Sequence, residues 1–383
     1  MTAIAPDKVI STILKHDSKV TSYKIALLRA INDVVLTYPD LRTYKSPVAV
    51  PLKLLAKFWV AYYWPFVDVA IPIQQGQSIK RDGKVRNDIA FRPALSDLRR
   101  QWEQTVGGLK NPADGFFLIN EVKSARKWQH YPDSLVDALS KTVSAISHTL
   151  EMPIRYAGPG EWSIFDRPQS YGAIAGNVVA VPGTTDRNRC LVIPFELWNT
   201  FRQMSLWIEA LCIHEWCLFT ERTASVNRGA IYSLLTARPD NRRPLTWERN
   251  QIDILLMEGA EFICPWSEKR LAQGIAYDLD HILPIAVYPT NELWNLVPSD
   301  PKFNSHQKRA RLPTAERLAI ARPHLGKTYK QYGSSSSLAG VLAEDAALRF
   351  ARLQSDTTFA VGLAGAVVDL VEEVAELRNL ARF

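Results

Sequence analysis

Apolar residues at helical spacing, cut repeatedly by proline, fill the first third of this chain and exclude an all-β fold. Residues 21–38 place Ile25, Leu28, Ile31 and Val35 on one face, with Thr21 or Ser22 as N-cap and Pro39 as the stop. A second helix is predicted from Pro51, a suitable first helical residue, to Trp64, and a third from Pro93 to Val106. The most apolar long stretch, Leu55 to Ile73, contains Lys57, Pro65 and Asp68, so it reads as a buried helix ending near Pro65 rather than a membrane span.

The texture changes between Gly160 and Ile193. Short apolar runs, Ala173-Ile174-Ala175 and Asn177 to Val181, are punctuated by Gly172, Gly176 and Gly183, as in strands of a small sheet. Pro194 then opens a long helix with Leu197, Phe201, Met204, Ile208 and Leu211 on one face, and Trp198 and Trp207 adding bulk to the core. Another helix covers Trp247 to Glu258. The fold class is therefore α+β. The expected domains are a mainly helical 1–150, a mixed α/β 151–255, a compact unit over 256–330, a Gly/Ser linker at 331–337 and a helical C-terminal segment, 338–383. In that last segment Leu363, Val367, Leu370, Val374 and Leu377 form a stripe that must be covered, by the helical N-terminal half or, in a homodimer, by a second copy; the first is preferred.

A length of 383 residues suits two or three domains, and 47% hydrophobic with 22% charged residues is a globular composition. No cationic and apolar leader follows Met1, and Cys190, Cys212, Cys217 and Cys264 show no paired spacing, so a reducing, cytoplasmic setting is expected. The net charge of +7 permits a nucleic-acid partner. Its placement is more telling. From Lys302 to Lys330 there are eight cations against Glu316 alone, and Lys80 to Arg100 carries seven against three acids. Lys302, Arg309 and Arg311 in the first segment, and Arg86 and Arg92 in the second, are candidate contacts to a phosphate backbone.

Three neighbouring stretches carry chemistry: Tyr277-Asp278-Leu279-Asp280-His281-Ile282-Leu283-Pro284, then Asn291-Glu292-Leu293-Trp294-Asn295-Leu296, then Lys302 to Arg309. Cleaving a phosphodiester needs an activated water, neutralised phosphate oxygens and a stabilised leaving oxygen. His281 can be the base because an ordinary imidazole, near pKa 6.5, is largely neutral at physiological pH. Asp280 and Asn304 supply oxygen ligands for one Mg²⁺ or Mn²⁺ ion. On a regular helix Asn304 and Lys308 share a face, so Lys308 is expected on the same phosphate and His306 at the periphery. Asp278 shares a strand face with Asp280, as an auxiliary acid or a solvent-facing residue.

This order of residues resembles the HNH endonuclease family of the ββα-metal nucleases over about residues 261–314. The resemblance implies a metal-dependent endonuclease that hydrolyses DNA to 5′-phosphate and 3′-hydroxyl ends. It also implies that Asn295 ties the loop that aims His281. Where many such domains carry two CxxC pairs around a structural zinc, this chain has Cys264-Pro265-Trp266-Ser267 and Asp300-Pro301-Lys302-Phe303. Three of four thiols are missing, which argues against zinc and predicts that Trp266, Trp294 and Phe303 replace it by packing. His214-Glu215 lacks the second histidine of a metalloprotease pair, because Leu218 stands there. By analogy alone, a bacterial restriction or anti-phage role is expected, with the upstream region for target recognition, regulation or a defence-system partner. The alternative is a nucleic-acid-binding or scaffold protein with a silent or partner-activated nuclease fold, and RNA remains open as a substrate.

Overall fold

A computed structural model describes residues 5–77, 88–107, 111–123, 125–237, 245–285, 287–288, 290–350, 353 and 356–383. The chain is a mostly helical α+β protein that divides into two compact units, Met1–Arg238 and Pro239–Phe383.

In the first unit, α1 (Pro6–Lys15), α2 (Tyr23–Thr37), α3 (Leu52–Tyr63), α4 (Arg92–Val106), α5 (Asp114–Glu121), α6 (Ala125–Trp128), α7 (Asp133–Thr149) and α8 (Glu151–Arg155) precede α9 (Phe195–Gln203), α10 (Ser205–Ala224) and α11 (Arg228–Thr236). The helices expected around residues 21–38, 51–64 and 93–106 are present. Ser22 is the N-cap of α2, but its hydroxyl bonds the Tyr63 hydroxyl at 2.8 Å rather than the helix backbone. A four-stranded sheet, in the order β2 (Gln169–Ser170), β4 (Arg189–Ile193), β1 (Val48–Pro51), β3 (Val179–Ala180), sits among these helices. Since β1 pairs with β4 and β3, backbone hydrogen bonds tie the helical segment to the mixed one across residue 150. Ala173 closes a 3-10 turn instead of opening a strand.

Two further expectations for this unit are revised. The single helix after Pro194 is broken at Met204, the cap shared by α9 and α10. The break turns the apolar face, so Trp198 is buried while Trp207 is 69% exposed. Arg92, expected at a phosphate backbone, has its guanidinium engaged within the protein. Its guanidinium donates to the Phe66 carbonyl at 2.9 Å and the Ile73 carbonyl at 2.8 Å, and pairs with Asp88, fastening the 66–73 loop to the start of α4. Arg86 lies outside the described residues. His214 is exposed on α10, and Glu215 pairs with Lys15 at 2.6 Å.

The second unit has its own core. It runs α12 (Thr246–Met257), the hairpin β5 (Phe262–Ile263) and β6 (Arg270–Leu271), the antiparallel pair β7 (Asp278–His281) and β8 (Leu296–Ser299), α13 (Pro301–Phe303) and a π-turn at Asn304–Lys308. The helices α14 (Ala315–Ser334), α15 (Leu338–Arg349) and α16 (Phe359–Arg378) complete it. Gly333 and Ser334, expected in a linker, are the last turn of α14. The stripe on α16 is covered within its own unit. Leu363, Val367, Leu370 and Val374 join the core of their own unit, where α16 lies along α14 and Arg322 reaches within 2.8 Å of where a Cβ on Gly365 would stand. A larger residue at position 365 would have to push that guanidinium aside.

Among the described residues no helix is long and apolar enough to cross a membrane.

Candidate nuclease site

The site is built on β7 and β8, whose register sets Asp280 opposite Val297 and His281 opposite Leu296. Beyond His281 the chain leaves the strand, and Asn295 fixes how it does so. The Asn295 Oδ1 accepts from the Leu283 N–H at 2.8 Å, and its Nδ2 donates to the carbonyls of Leu283 at 3.0 Å and Thr290 at 3.3 Å. With the Ile282 N–H on the Asn295 carbonyl at 2.8 Å, one fully buried amide laces both ends of the loop. Two helices hold the same loop from behind, α15 from the segment expected to be separate and α14 from a stretch that reaches into the expected linker. Asp345 of α15 accepts from the Leu293 N–H at 2.7 Å, while Tyr329 and Tyr332 of α14 donate to the carbonyls of Trp294 at 2.6 Å and Leu296 at 2.9 Å.

His281 is 8% exposed. Its Nε2 stands 2.7 Å from Asn291 Oδ1, and since a carbonyl oxygen only accepts, Nε2 carries the proton and Nδ1 the lone pair. Burial holds the imidazole pKa below its ordinary value, against the upward pull of the Asn291 hydrogen bond and the Asp280 charge. Asn291 had no signal in the sequence beyond being a polar residue in the loop that Asn295 closes.

Asp280 and Lys308 form a buried ion pair. The ammonium, 1% exposed, donates to Asp280 Oδ1 at 3.0 Å and to the His281 carbonyl at 2.7 Å, and the Trp266 indole N–H donates to Asp280 Oδ2 at 3.0 Å. Burial pushes the Asp280 carboxyl up from the usual carboxylate value, with Lys308 and Trp266 pulling it back. Lys308, expected on the phosphate, is therefore placed elsewhere: its charge is spent on Asp280 beneath the surface. The expected sharing of a regular helix face by Asn304 and Lys308 also gives way, because the segment is a π-turn closed by the Arg309 N–H on the Asn304 carbonyl at 2.8 Å. The two side chains reach different acids of β7. Asn304 Nδ2 donates to Asp278 Oδ2 at 3.1 Å, and both residues are half-buried. That edge offers a carboxylate and an amide oxygen, donors suited to a hard ion such as Mg²⁺ or Mn²⁺.

Aromatic rings pack around the positions where the resemblance places thiols. Trp266 and Phe303 each meet Phe383 edge to face, with centroids 5.9 and 5.7 Å away, and the Arg317 guanidinium lies 5.4 Å from the rings of both Phe303 and Phe383. The 381–383 segment is pinned by the Leu312 N–H on the Ala381 carbonyl at 3.0 Å and the Phe383 N–H on the Leu312 carbonyl at 2.9 Å. Trp294 packs elsewhere, against Tyr288 and Phe350. Of the basic candidates here, Lys302 and Arg309 are exposed, whereas Arg311 is half-buried and donates to the Gln307 carbonyl. His306 is exposed, as expected of a peripheral residue, with Nδ1 beside the Lys302 carbonyl.

Residues 3–235, well over half of the chain, match the family model described as Domain of unknown function (DUF8808). The chain belongs to the DUF8808 family. Residues 264–314 of this DUF8808 protein match the model of the HNH endonuclease family, a span that opens at Cys264, contains β7, the Asn295 loop and the π-turn, and closes at the N-cap of α14. The HNH endonuclease domain thus lies wholly in the second unit and the DUF8808 match wholly in the first. No curated protein and no solved structure matches the chain.

Proposed function

We propose that this DUF8808 protein is a metal-dependent endonuclease that hydrolyses DNA phosphodiester bonds, with His281 as the general base. The observation that carries the reading is the imidazole itself: it sits within the HNH match, is held neutral by burial, and has its tautomer set by Asn291. Nδ1 of His281 takes a proton from water as the water oxygen bonds to phosphorus. The bond from phosphorus to the 3′ oxygen breaks, and that oxygen leaves to be protonated by solvent, giving 5′-phosphate and 3′-hydroxyl ends. When bound at the oxygen edge beside Asn304, a divalent ion supplies Lewis-acid stabilisation of the phosphate and the leaving oxygen. Asn295 keeps the base aimed by holding the loop, and exposed Lys302 and Arg309 provide charge for the phosphate backbone. The DUF8808 unit serves target recognition or control, in a restriction or anti-phage setting. Purified protein with Mg²⁺ or Mn²⁺ should nick or linearise plasmid, and EDTA or His281→Ala should abolish cutting; equal cutting by the Ala variant removes His281 as the base.

A second reading is favoured by one observation. With His281 only 8% exposed, the fold in this reading is silent until a partner or substrate opens it. Plasmid left intact by the pure protein but cut after addition of host lysate would select this reading.

A further inference from the structure

The first unit carries a cleft that the endonuclease reading does not use. One wall is a single face of α10, on which Glu215, Leu218, Phe219 and Arg222 fall at i, i+3, i+4 and i+7. A second wall is the end of α1 and the turn after it, from Lys15 to Lys19, and the Gln77 N–H on the Val20 carbonyl at 2.9 Å fastens Gln77 beside that turn. The space enclosed is about 820 Å³. That lies within the roughly 300–1,000 Å³ typical of small-molecule sites.

The charges of the lining do not cancel. Glu215 is paired with Lys15 at 2.6 Å, and the Asp17 Oδ2 accepts from the Lys24 ammonium at 2.9 Å and from the Gly158 N–H at 2.8 Å. Two cations are left over. Lys19 is half-buried, and among the described residues its ammonium pairs with no carboxylate, donating instead to the Asp17 carbonyl at 3.0 Å. Arg222 donates to the Leu218 carbonyl of its own helix at 3.2 Å and likewise makes no ion pair among the described residues. Burial lowers the Lys19 pKa against the opposing pull of Glu215 and Asp17, and the Lys24 and Arg222 charges add to the lowering. An anion held in the cleft would favour the charged ammonium. Two unpaired charges, one of them a fork-shaped guanidinium, match a phosphate monoester dianion better than a single carboxylate. A half-buried ammonium inside a cleft selects a ligand small enough to enter, rather than a duplex backbone, and Leu218 and Phe219 give that ligand's organic part an apolar surface.

We propose that this cleft of the DUF8808 unit binds a small phosphate ester of nucleotide size, with its phosphate on Lys19 and Arg222 and its organic part along Leu218 and Phe219. The proposal goes beyond the endonuclease reading and does not depend on it.

Calorimetry on the full chain, with each of the four nucleoside 5′-monophosphates and with inorganic phosphate as probes, tests it. At least one nucleotide should bind once per chain, at least tenfold more tightly than inorganic phosphate. Lys19→Met and Arg222→Gln should each weaken that nucleotide at least tenfold, whereas Lys53→Met, an exposed position on α3 outside the cleft, should stay within twofold. A second measurement needs no variant. The bound nucleotide should protect Lys19, and not Lys53, from acetylation by acetic anhydride, read by mass spectrometry. No nucleotide bound more tightly than inorganic phosphate, unchanged affinity in both cleft variants, or equal protection of Lys19 and Lys53 would each overturn the proposal. A DNA duplex that displaces the nucleotide and loses affinity in the same variants would also overturn it, by assigning these cations to a nucleic-acid backbone. Nucleotide binding by a protein that cuts no plasmid leaves this inference and removes the nuclease; cutting by a protein that binds no nucleotide does the reverse.

Discussion

Asn291 Oδ1 stands 2.7 Å from His281 Nε2, and this contact, from the loop that Asn295 closes, decides which imidazole nitrogen is basic. Replacing Asn291 by Leu keeps the volume and removes the acceptor. Cutting should fall by about tenfold or more, short of the roughly 10²–10⁴-fold loss from deleting a general base. Nitrogen NMR of the imidazole should show mixed tautomers in the variant and one in the wild type, and a single unchanged tautomer would show that Asn291 does not set it.

Activity should persist on the acid side further than an ordinary histidine allows. Burial lowers the His281 pKa, so the neutral base survives as pH falls through about 6.5, the unperturbed value, and is lost only below it. The stability linkage has the same sign: the unfolded chain takes up this proton first, so the contribution is present above about pH 6.5 and is lost as pH falls toward the lower folded value. A pH–rate profile and a melt series between pH 5 and 8 check both, and an acid limb at or above about 6.5 would contradict the burial argument.

Lys308→Ala should be a folding variant rather than a binding one. Removing the partner of a buried carboxylate costs about 3–5 kcal/mol, while exchanging both members for apolar residues is often neutral or better. Urea unfolding should therefore show Lys308→Ala far less stable than the Asp280→Leu, Lys308→Met pair. The salt dependence of DNA binding should keep its slope if folded protein is compared.

Arg309 follows the π-turn with φ at 50° and ψ at −126°, an uncommon conformation for a side-chain-bearing residue. Arg309→Gly should raise stability by about 1 kcal/mol by relieving that strain. If the exposed guanidinium meets phosphate, the same change should weaken DNA binding and lower its salt slope by about one counterion. Stability gained with no change in slope would take Arg309 off the backbone.

Phe383→Ala should destabilise the second unit by about 2 kcal/mol, since two edge-to-face pairs and a guanidinium contact go with the ring. Differential scanning calorimetry would assign the loss to the transition that carries the HNH domain.

The helices of the first unit were legible because Ile25, Leu28 and Ile31 repeat at 3.6 residues and proline marks their ends. The sheet was only half visible: β3 and β4 lie where the texture changes, but β1 is four residues set between helices, and its pairing depends on contacts far along the chain. In the nuclease site the residue types around Asp280, His281, Asn295 and Asn304 could be read in order, since they cluster in sequence. What each side chain touches could not. Spacing places Lys308 on a helix face with Asn304, yet one extra residue per turn redirects it, and no local pattern announces a π-turn. Asp345, Tyr329 and Tyr332 were hidden for the opposite reason: they look like ordinary helix residues until the fold brings them behind the loop.

The aromatic clasp at Phe383 also imposes an order on synthesis. Trp266 and Phe303 leave the ribosome long before the ring that both of them need, so a partly made chain carries the nuclease residues without the closure that steadies them. In a zinc-clamped domain the equivalent closure is local and can form at once on metal binding. Here it is long-range, and a site assembled this way closes only when the 381–383 segment has arrived.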